Sequence, residues 1–230
     1  MRLKIAFYCL CLLYFLNCSP ADLCNAADTT SRCGILELAT RNPISSNSSS
    51  PTVPHCSPCK MFVTATTYNA NLGGIVGADN KCSSDANKPS TGNYKALIVD
   101  DVNRRACTSV NCTSGGVTEQ INWVLAPNTS YVQSSSPSTI IFISDANGVY
   151  NSSLTNLISA AAAAIWTGIK NTSSWDWQTD TAHTCTSWTD SVSGNCGTYG
   201  VTSWTDSRAI AIVSAYGSGG TLNNLLCVEQ

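Results

Sequence analysis

Cysteines placed behind an export leader govern what this chain can fold into. Arg2 and Lys4 precede an apolar run of 12 residues, Ile5 to Leu16, and Asn17-Cys18 follows. Twelve residues span about 18 Å as a helix, short of a hydrocarbon core of roughly 30 Å, so residues 1–17 read as a secretion signal and not as a membrane span. Phe15-Leu16-Asn17-Cys18 has the form of a loose lipobox, with Leu two positions before the cysteine but Asn where Gly or Ala is usual. Cys18 is therefore the expected lipidation site; an ordinary cleavage nearby would leave it as one more disulfide partner. The chain has 13 cysteines. With Cys9 and Cys11 in the leader and Cys18 carrying lipid, ten remain: Cys24, Cys33, Cys56, Cys59, Cys82, Cys107, Cys112, Cys185, Cys196 and Cys227. An even set in an oxidising compartment can pair completely, although spacing does not give the connectivity. Cys107 with Cys112, Cys185 with Cys196, and Cys24 with Cys33 are plausible by proximity.

Residues 18–58 are polar and interrupted, with Asn42-Pro43-Ile44-Ser45-Ser46-Asn47-Ser48-Ser49-Ser50-Pro51 at their centre. Such a composition offsets little ordering entropy by burial and reads as a tether between a lipid and a domain over 59–230. At 230 residues the chain is 43% hydrophobic and only 11% charged, against about 25% charged in ordinary soluble domains; Ser and Thr carry the polarity. Loss of Arg2 and Lys4 leaves 10 basic against 14 acidic residues, a net charge of −4. No basic field is present to draw in nucleic acid or an anionic membrane, so membrane association is expected through the lipid alone.

Within the domain, Lys60 to Thr66 reads as a first strand from its β-branched and aromatic content, broken by Asn71-Leu72-Gly73-Gly74. Ala78 to Ala86 has the composition of a short helix carrying Cys82, and Tyr94 to Val99 that of a strand ended by Asp100-Asp101. Glu119 to Leu125 is a second short helix candidate, stopped by Pro127. Thr139 to Ile143 is a strong strand after Pro137. The run Ala160 to Ala164 has helical propensity but leads straight into Trp166-Thr167-Gly168-Ile169. Ser187-Trp188-Thr189-Asp190-Ser191 and Ser203-Trp204-Thr205-Asp206-Ser207 are alike, but two short copies do not make a repeat architecture.

Three segments in order carry a resemblance: Gly77-Ala78-Asp79-Asn80-Lys81-Cys82, then Trp166-Thr167-Gly168-Ile169, then Leu225-Leu226-Cys227-Val228-Glu229-Gln230. From about Lys60 to Gln230 the chain resembles the C-type-lectin-like fold, within it endostatin, and especially the endostatin-like surface lipoproteins of pathogenic spirochaetes. The resemblance implies an α+β domain of mixed, mostly antiparallel sheets with two short helices and long disulfide-stabilised loops. It implies a bridge from Cys82 on the first helix to Cys227 on the last strand, worth roughly 5 kcal/mol in the chain-entropy picture. It also makes the Ala160 to Ala164 run an approach to a core strand at Trp166. The chain departs from the endostatin pattern at Gly219-Gly220-Thr221-Leu222, which lacks the cysteine expected to pair with Cys185, so Cys196 is the expected substitute partner.

Catalytic and metal chemistry find little support. Cys56-Ser57-Pro58-Cys59 has redox-motif spacing but precedes a strand and does not open a helix, which favours a structural disulfide or pairing elsewhere. His55 beside it, and His183 near Cys185, are the two histidines; exported cysteines oxidise before they bind zinc, and no metal or other cofactor is expected. Ala126-Pro127-Asn128 is the nearest match to a calcium-lectin loop, but it lacks the carboxylate and lies on the wrong side of Trp166. No nucleophile, base and orienting acid assemble in the sequence, so the chain is not expected to be an enzyme. Six tryptophans remain; most belong in a core, while Trp175, Trp177 and Trp204, set among Ser, Thr and Asn, are the candidate binding surface. The sequons at Asn47, Asn111, Asn128, Asn151 and Asn171 are expected by chance in so Ser/Thr-rich a chain.

The resemblance implies an outer-surface adhesin, lipid-anchored to a bacterial outer membrane, that binds host extracellular-matrix proteins such as laminin and fibronectin. Complement factor H or plasminogen are further expected partners. The alternatives are a calcium-independent carbohydrate-binding lectin and a periplasm-facing structural lipoprotein of the envelope.

Overall fold

The computed structural model describes residues 56–230 apart from 171, 173 and 213–215. All of these fall in the unit Pro54–Gln230. The leader, Cys18, Cys24, Cys33, most of the tether with Asn47 and His55, and Asn171 lie outside the described residues. The described chain is mixed α and β with few helices, and its sheets are mostly antiparallel. No helix among the described residues is long and apolar enough to cross a membrane.

The strands are β1 (Cys59–Val63), β2 (Tyr94–Ala96), β3 (Ser130–Gln133), β4 (Ser136–Ile143), β5 (Ala164–Trp166), β6 (Gly197–Val201), β7 (Tyr216–Gly217) and β8 (Leu226–Glu229). A five-stranded sheet runs β2-β8-β1-β3-β4, with only β1 and β3 parallel, and a three-stranded sheet runs β5-β6-β7. The last strand therefore sits inside the larger sheet, between β1 and β2, which is why β8 is buried throughout. Side chains alternate across it: Leu226 and Val228 join Met61, Tyr131 and Phe142 in one core, while Cys227 joins Phe62, Tyr94 and Ala96 in the other.

Helix α1 (Gly74–Ser84) covers that second core with Ile75, Ala78 and Cys82, at helical spacing on one face. Each letter of the Gly77-Ala78-Asp79-Cys82 signature has a physical task. A side chain at Gly77 would put its Cβ 2.1 Å from the Leu72 carbonyl oxygen, so only Gly lets the helix sit there. Asp79 receives both ends of the Arg104 guanidinium at 2.8 and 2.9 Å and also accepts from the Ala96 amide at 2.9 Å. Arg104 is fully buried, and its remaining donors reach the Ala96 and Asn122 carbonyls. Burying a guanidinium is tolerable only when its donors are matched in this way. Cys82 is bonded to Cys227, tying helix to strand.

Several expected elements shift. The first helix starts at Gly74, earlier than Ala78, because the Gly73-Gly74 pair that ends the preceding segment also opens the helix. The first strand stops at Val63, and the Tyr94 strand stops at Ala96, after which Val99 N–H turns to the Thr167 carbonyl at 2.8 Å. The helix expected over Glu119 to Leu125 does not form. Glu119 closes a short 3-10 turn, Ile121 pairs with Arg105 as an isolated bridge, and the Asn122 carbonyl is taken by Arg104. The alanine run does not become helical either: Thr202 Oγ1 bonds both Ala163 N–H and the Ala161 carbonyl and steers the chain into β5. Residues Cys185–Trp188 coil into a left-handed turn, with φ of 46, 54, 53 and 64°.

Candidate functional site

The structure pairs Cys82 with Cys227, Cys107 with Cys112, Cys185 with Cys196, and Cys56 with Cys59. Cys56, placed in the tether by composition, thereby packs on the first core from the start of β1. The bridge leaves Cys56-Ser57-Pro58-Cys59 a closed disulfide at the lip of a sheet and not at a helix start.

The tryptophans divide sharply. Trp166 and Trp188 are fully buried in the second core; Trp166 Nε1 donates to the Tyr68 carbonyl at 2.9 Å and Trp188 Nε1 to the Val99 carbonyl at 2.8 Å. Gly168 follows at φ 71°, where a Cβ would lie 2.4 Å from the Val99 oxygen, so the Trp-x-Gly segment depends on its glycine. On the opposite side of the larger sheet, Tyr131, Phe142, Tyr150, Trp175, Trp177 and Trp123 form a continuous chain of ring contacts at 4.9 to 6.1 Å.

Of the three candidate surface tryptophans, Trp177 belongs to this core, only 1% exposed, and is removed from the binding surface. A ring between two other rings, with its indole N–H on the Tyr150 carbonyl, is built for packing. Trp175 is half-buried against the same core. Trp204 is 40% exposed. The Arg208 guanidinium lies over its ring at 3.4 Å from the centroid, and Asp206 holds that guanidinium from Nε and Nη2. Hydrogen bonds from the Arg208 side chain keep the Asp206 carboxyl below its ordinary range, so the pair stays charged at neutral pH.

Trp188-Thr189-Asp190 and Trp204-Thr205-Asp206 thus share their acid and not their ring. Asp190 accepts from Val192 and Ser193 and Asp206 from Arg208, each closing a tight turn, yet one ring points into the core and the other onto the surface. Trp175 and Asp206 meet at a groove of about 520 Å³ lined by Asn111, Asn151, Ser174, Trp175, Asp206 and Ser207. Sequence reasoning missed Asp206, Arg208 and the asparagines; the arginine four residues after Trp204 was the available sign.

The remaining titratable groups serve the fold. Cys107, Cys112 and Glu119 come close enough to suggest a metal, but the sulfurs are bonded to each other. The Glu119 carboxylate accepts from the N–H and hydroxyl groups of Thr108 and Ser109 and from Gly115 N–H, at 2.6 to 2.8 Å. Burial pushes its pKa up, but the bonds from Ser109, Gly115 and Thr108 outweigh this and hold it at about 2. His183 pairs with Asp180 at 2.9 Å and stacks on Tyr216 at 3.7 Å. At Ala126-Pro127-Asn128, the Ala126 carbonyl is taken by Ser144 Oγ at 2.6 Å, and the neighbouring Asp145 Oδ1 accepts from the Asn147 and Val149 amides.

Residues 65–205, more than half of the chain, match the family described as "Protein of unknown function (DUF1554)". The chain belongs to that family. No curated protein matches it. The matched region of this DUF1554 protein contains α1, the Cys107–Cys112 loop, Trp166 and the Trp204-Thr205 start of the surface turn, whereas β1 and β8 lie outside it.

Proposed function

We propose that the chain is an exported surface lipoprotein, anchored at Cys18, whose disulfide-braced domain binds host proteins and performs no catalysis. The domain is read as C-type-lectin-like and endostatin-like, and the ligands as extracellular-matrix proteins such as laminin and fibronectin, with complement factor H and plasminogen as further partners. The Cys82–Cys227 bridge between the first helix and the last strand, with Trp166 buried between Gly-rich neighbours, supports the lectin-like part of this reading.

One observation carries the binding part: Trp204, the most exposed tryptophan, is held rigid on the surface by Arg208, itself fixed by Asp206. Trp and Arg are the residue types that dominate protein-binding hot spots, and a ring already immobilised loses little side-chain entropy on contact. Immobilised laminin, fibronectin, factor H and plasminogen should retain the oxidised protein saturably and not its reduced form. Trp204→Ala should weaken retention roughly 30-fold, a typical hot-spot loss of about 2 kcal/mol, with little change in melting temperature. Absence of saturable binding to all four rejects the reading. Mass spectrometry of the N-terminal peptide tests the lipid on Cys18, and protease treatment of intact cells tests outward display.

A further inference from the structure

The six tryptophans use their indole N–H groups in two ways. Those of Trp123, Trp166, Trp177 and Trp188 each donate to a backbone carbonyl, of Gly148, Tyr68, Tyr150 and Val99 respectively. Among the described residues, the N–H groups of Trp175 and Trp204 reach no acceptor, and that of half-buried Trp175 is not one of the enclosed polar atoms. The two rings are tied to one place, because Trp175 and Asp206 line the same groove and Asp206 holds the guanidinium that lies over Trp204. Neither ring is loose. Trp175 stacks on Trp177 at 16° and 6.1 Å and meets Tyr150 edge-on at 5.5 Å, while Arg208 pins Trp204 at 3.4 Å. Arg208 adds a third unspent donor, since Asp206 takes Nε and Nη2 and leaves Nη1. The same bonds occupy both oxygens of Asp206, and Asn111 Oδ1 is enclosed out of reach. The surface therefore offers fixed donors without fixed acceptors to match them.

Such a surface selects a segment rich in carbonyls, poor in N–H groups and apolar on its flank. A polyproline II helix has all three properties. It makes no internal hydrogen bonds, so its carbonyls are unspent, and proline has no N–H to strand where acceptors are lacking. Its pyrrolidine rings pack on aromatic faces, and it is ordered before it binds. Strands and α-helices bring carbonyls that are already bonded, an acidic peptide finds Arg208 neutralised by Asp206, and a sugar hydroxyl donates as readily as it accepts. We infer that the surface carrying Trp175 and Trp204 binds a proline-rich segment of its protein partner in the polyproline II conformation, with both indole N–H groups and Arg208 Nη1 donating to its carbonyls. This rests on the reading of Trp204 as a protein-binding surface and names the kind of segment bound there.

The oxidised chain, labelled at its indole nitrogens and titrated with decaproline in NMR, tests the inference, with a Gly-Ser peptide of equal length as control. The Trp175 and Trp204 signals, assigned by their loss in Trp175→Phe and Trp204→Phe, should shift saturably, while those of Trp166 and Trp188 in the second core stay in place. Each variant keeps a ring but loses the N–H, and should weaken decaproline binding roughly fivefold, the worth of about one hydrogen bond. Trp204→Phe acts at an exposed ring and should leave the melting temperature unchanged, so it decides the matter even where Trp175→Phe unfolds the domain. No saturable shift, equal shifts with the Gly-Ser peptide, or binding indifferent to Trp204→Phe each overturns the inference. If the host proteins are retained through Trp204 and decaproline does not displace them, this inference falls and the protein-binding reading stands. If decaproline binds while laminin, fibronectin, factor H and plasminogen are not retained, those named ligands fall and the proline-binding surface stands.

Discussion

A single buried carboxylate organises the loop closed by Cys107 and Cys112. Glu119 is reached by five donors from three residues, which is why its pKa falls to about 2 from an ordinary 4.5 despite burial. The folded pKa is depressed, so the stabilisation is complete above pH 4.5 and is lost as pH falls from there towards 2. Glu119→Gln puts an NH₂ group opposite at least one donor and should cost about 2 kcal/mol at neutral pH. It should also flatten the acid limb of stability between those two pH values. Urea midpoints of both proteins from pH 2 to 7 check this, and parallel acid limbs would show that Glu119 is not the titrating group. None of this was legible beforehand: in sequence, Glu119 opens an apparent short helix, and nothing local tells a helix-starting glutamate from one consumed by a loop ten residues upstream. Asp79 is the contrasting case. Its motif was visible, but the reason for it, Arg104, lies 25 positions away and appears only once β2 brings them together.

At the scale of elements, the left-handed turn Cys185–Trp188 is the most costly piece of backbone. Four consecutive residues with side chains hold φ between 46 and 64°, a region that disfavours each by roughly 1 to 2 kcal/mol. The turn persists because its ends are fixed: Cys185 by the bridge to Cys196, and Trp188 by full burial and its bond to Val99. Thr186, exposed and β-branched, is the least suited of the four and makes no side-chain hydrogen bond. Thr186→Gly should therefore stabilise the domain by about 1 kcal/mol, raising the melting temperature by roughly 2 to 4 °C, against the usual direction for a glycine substitution. An unchanged or lower midpoint in calorimetry would show the turn to be unstrained. The sequence could not announce it, because no glycine or asparagine marks the turn and tertiary anchors override local preference. Where local and tertiary preferences agree, as in β4 around Ile140 to Phe142, the element was legible. Trp204 shows the same limit at the site: its pentapeptide is identical to that of Trp188, so exposure was decided by surroundings that the residues themselves do not encode.

For the molecule as a whole, the four bridges among the described residues differ in what they restrain. Cys107 with Cys112 spans 5 positions and Cys185 with Cys196 spans 11, so both hold geometry that is already local. Cys82 with Cys227 spans 145 and fastens α1 to β8, an interior strand of the larger sheet. Loop-closure entropy then assigns it roughly 5 kcal/mol and the five-residue loop roughly 2 kcal/mol. The paired variant Cys82→Ser with Cys227→Ser should lower the denaturant midpoint far more than Cys107→Ser with Cys112→Ser, at similar m-values. The inequality has a second source. Both pairs are enclosed in apolar cores, so either variant buries two hydroxyls, but the smaller loop is still gathered around Glu119 without its bridge, whereas Cys82 and Cys227 are brought together across most of the domain. Equal losses in the two variants would mean that the unfolded chain is already compact enough for the long loop to cost little, and that the local Glu119 cage and not the long bridge sets the domain's stability.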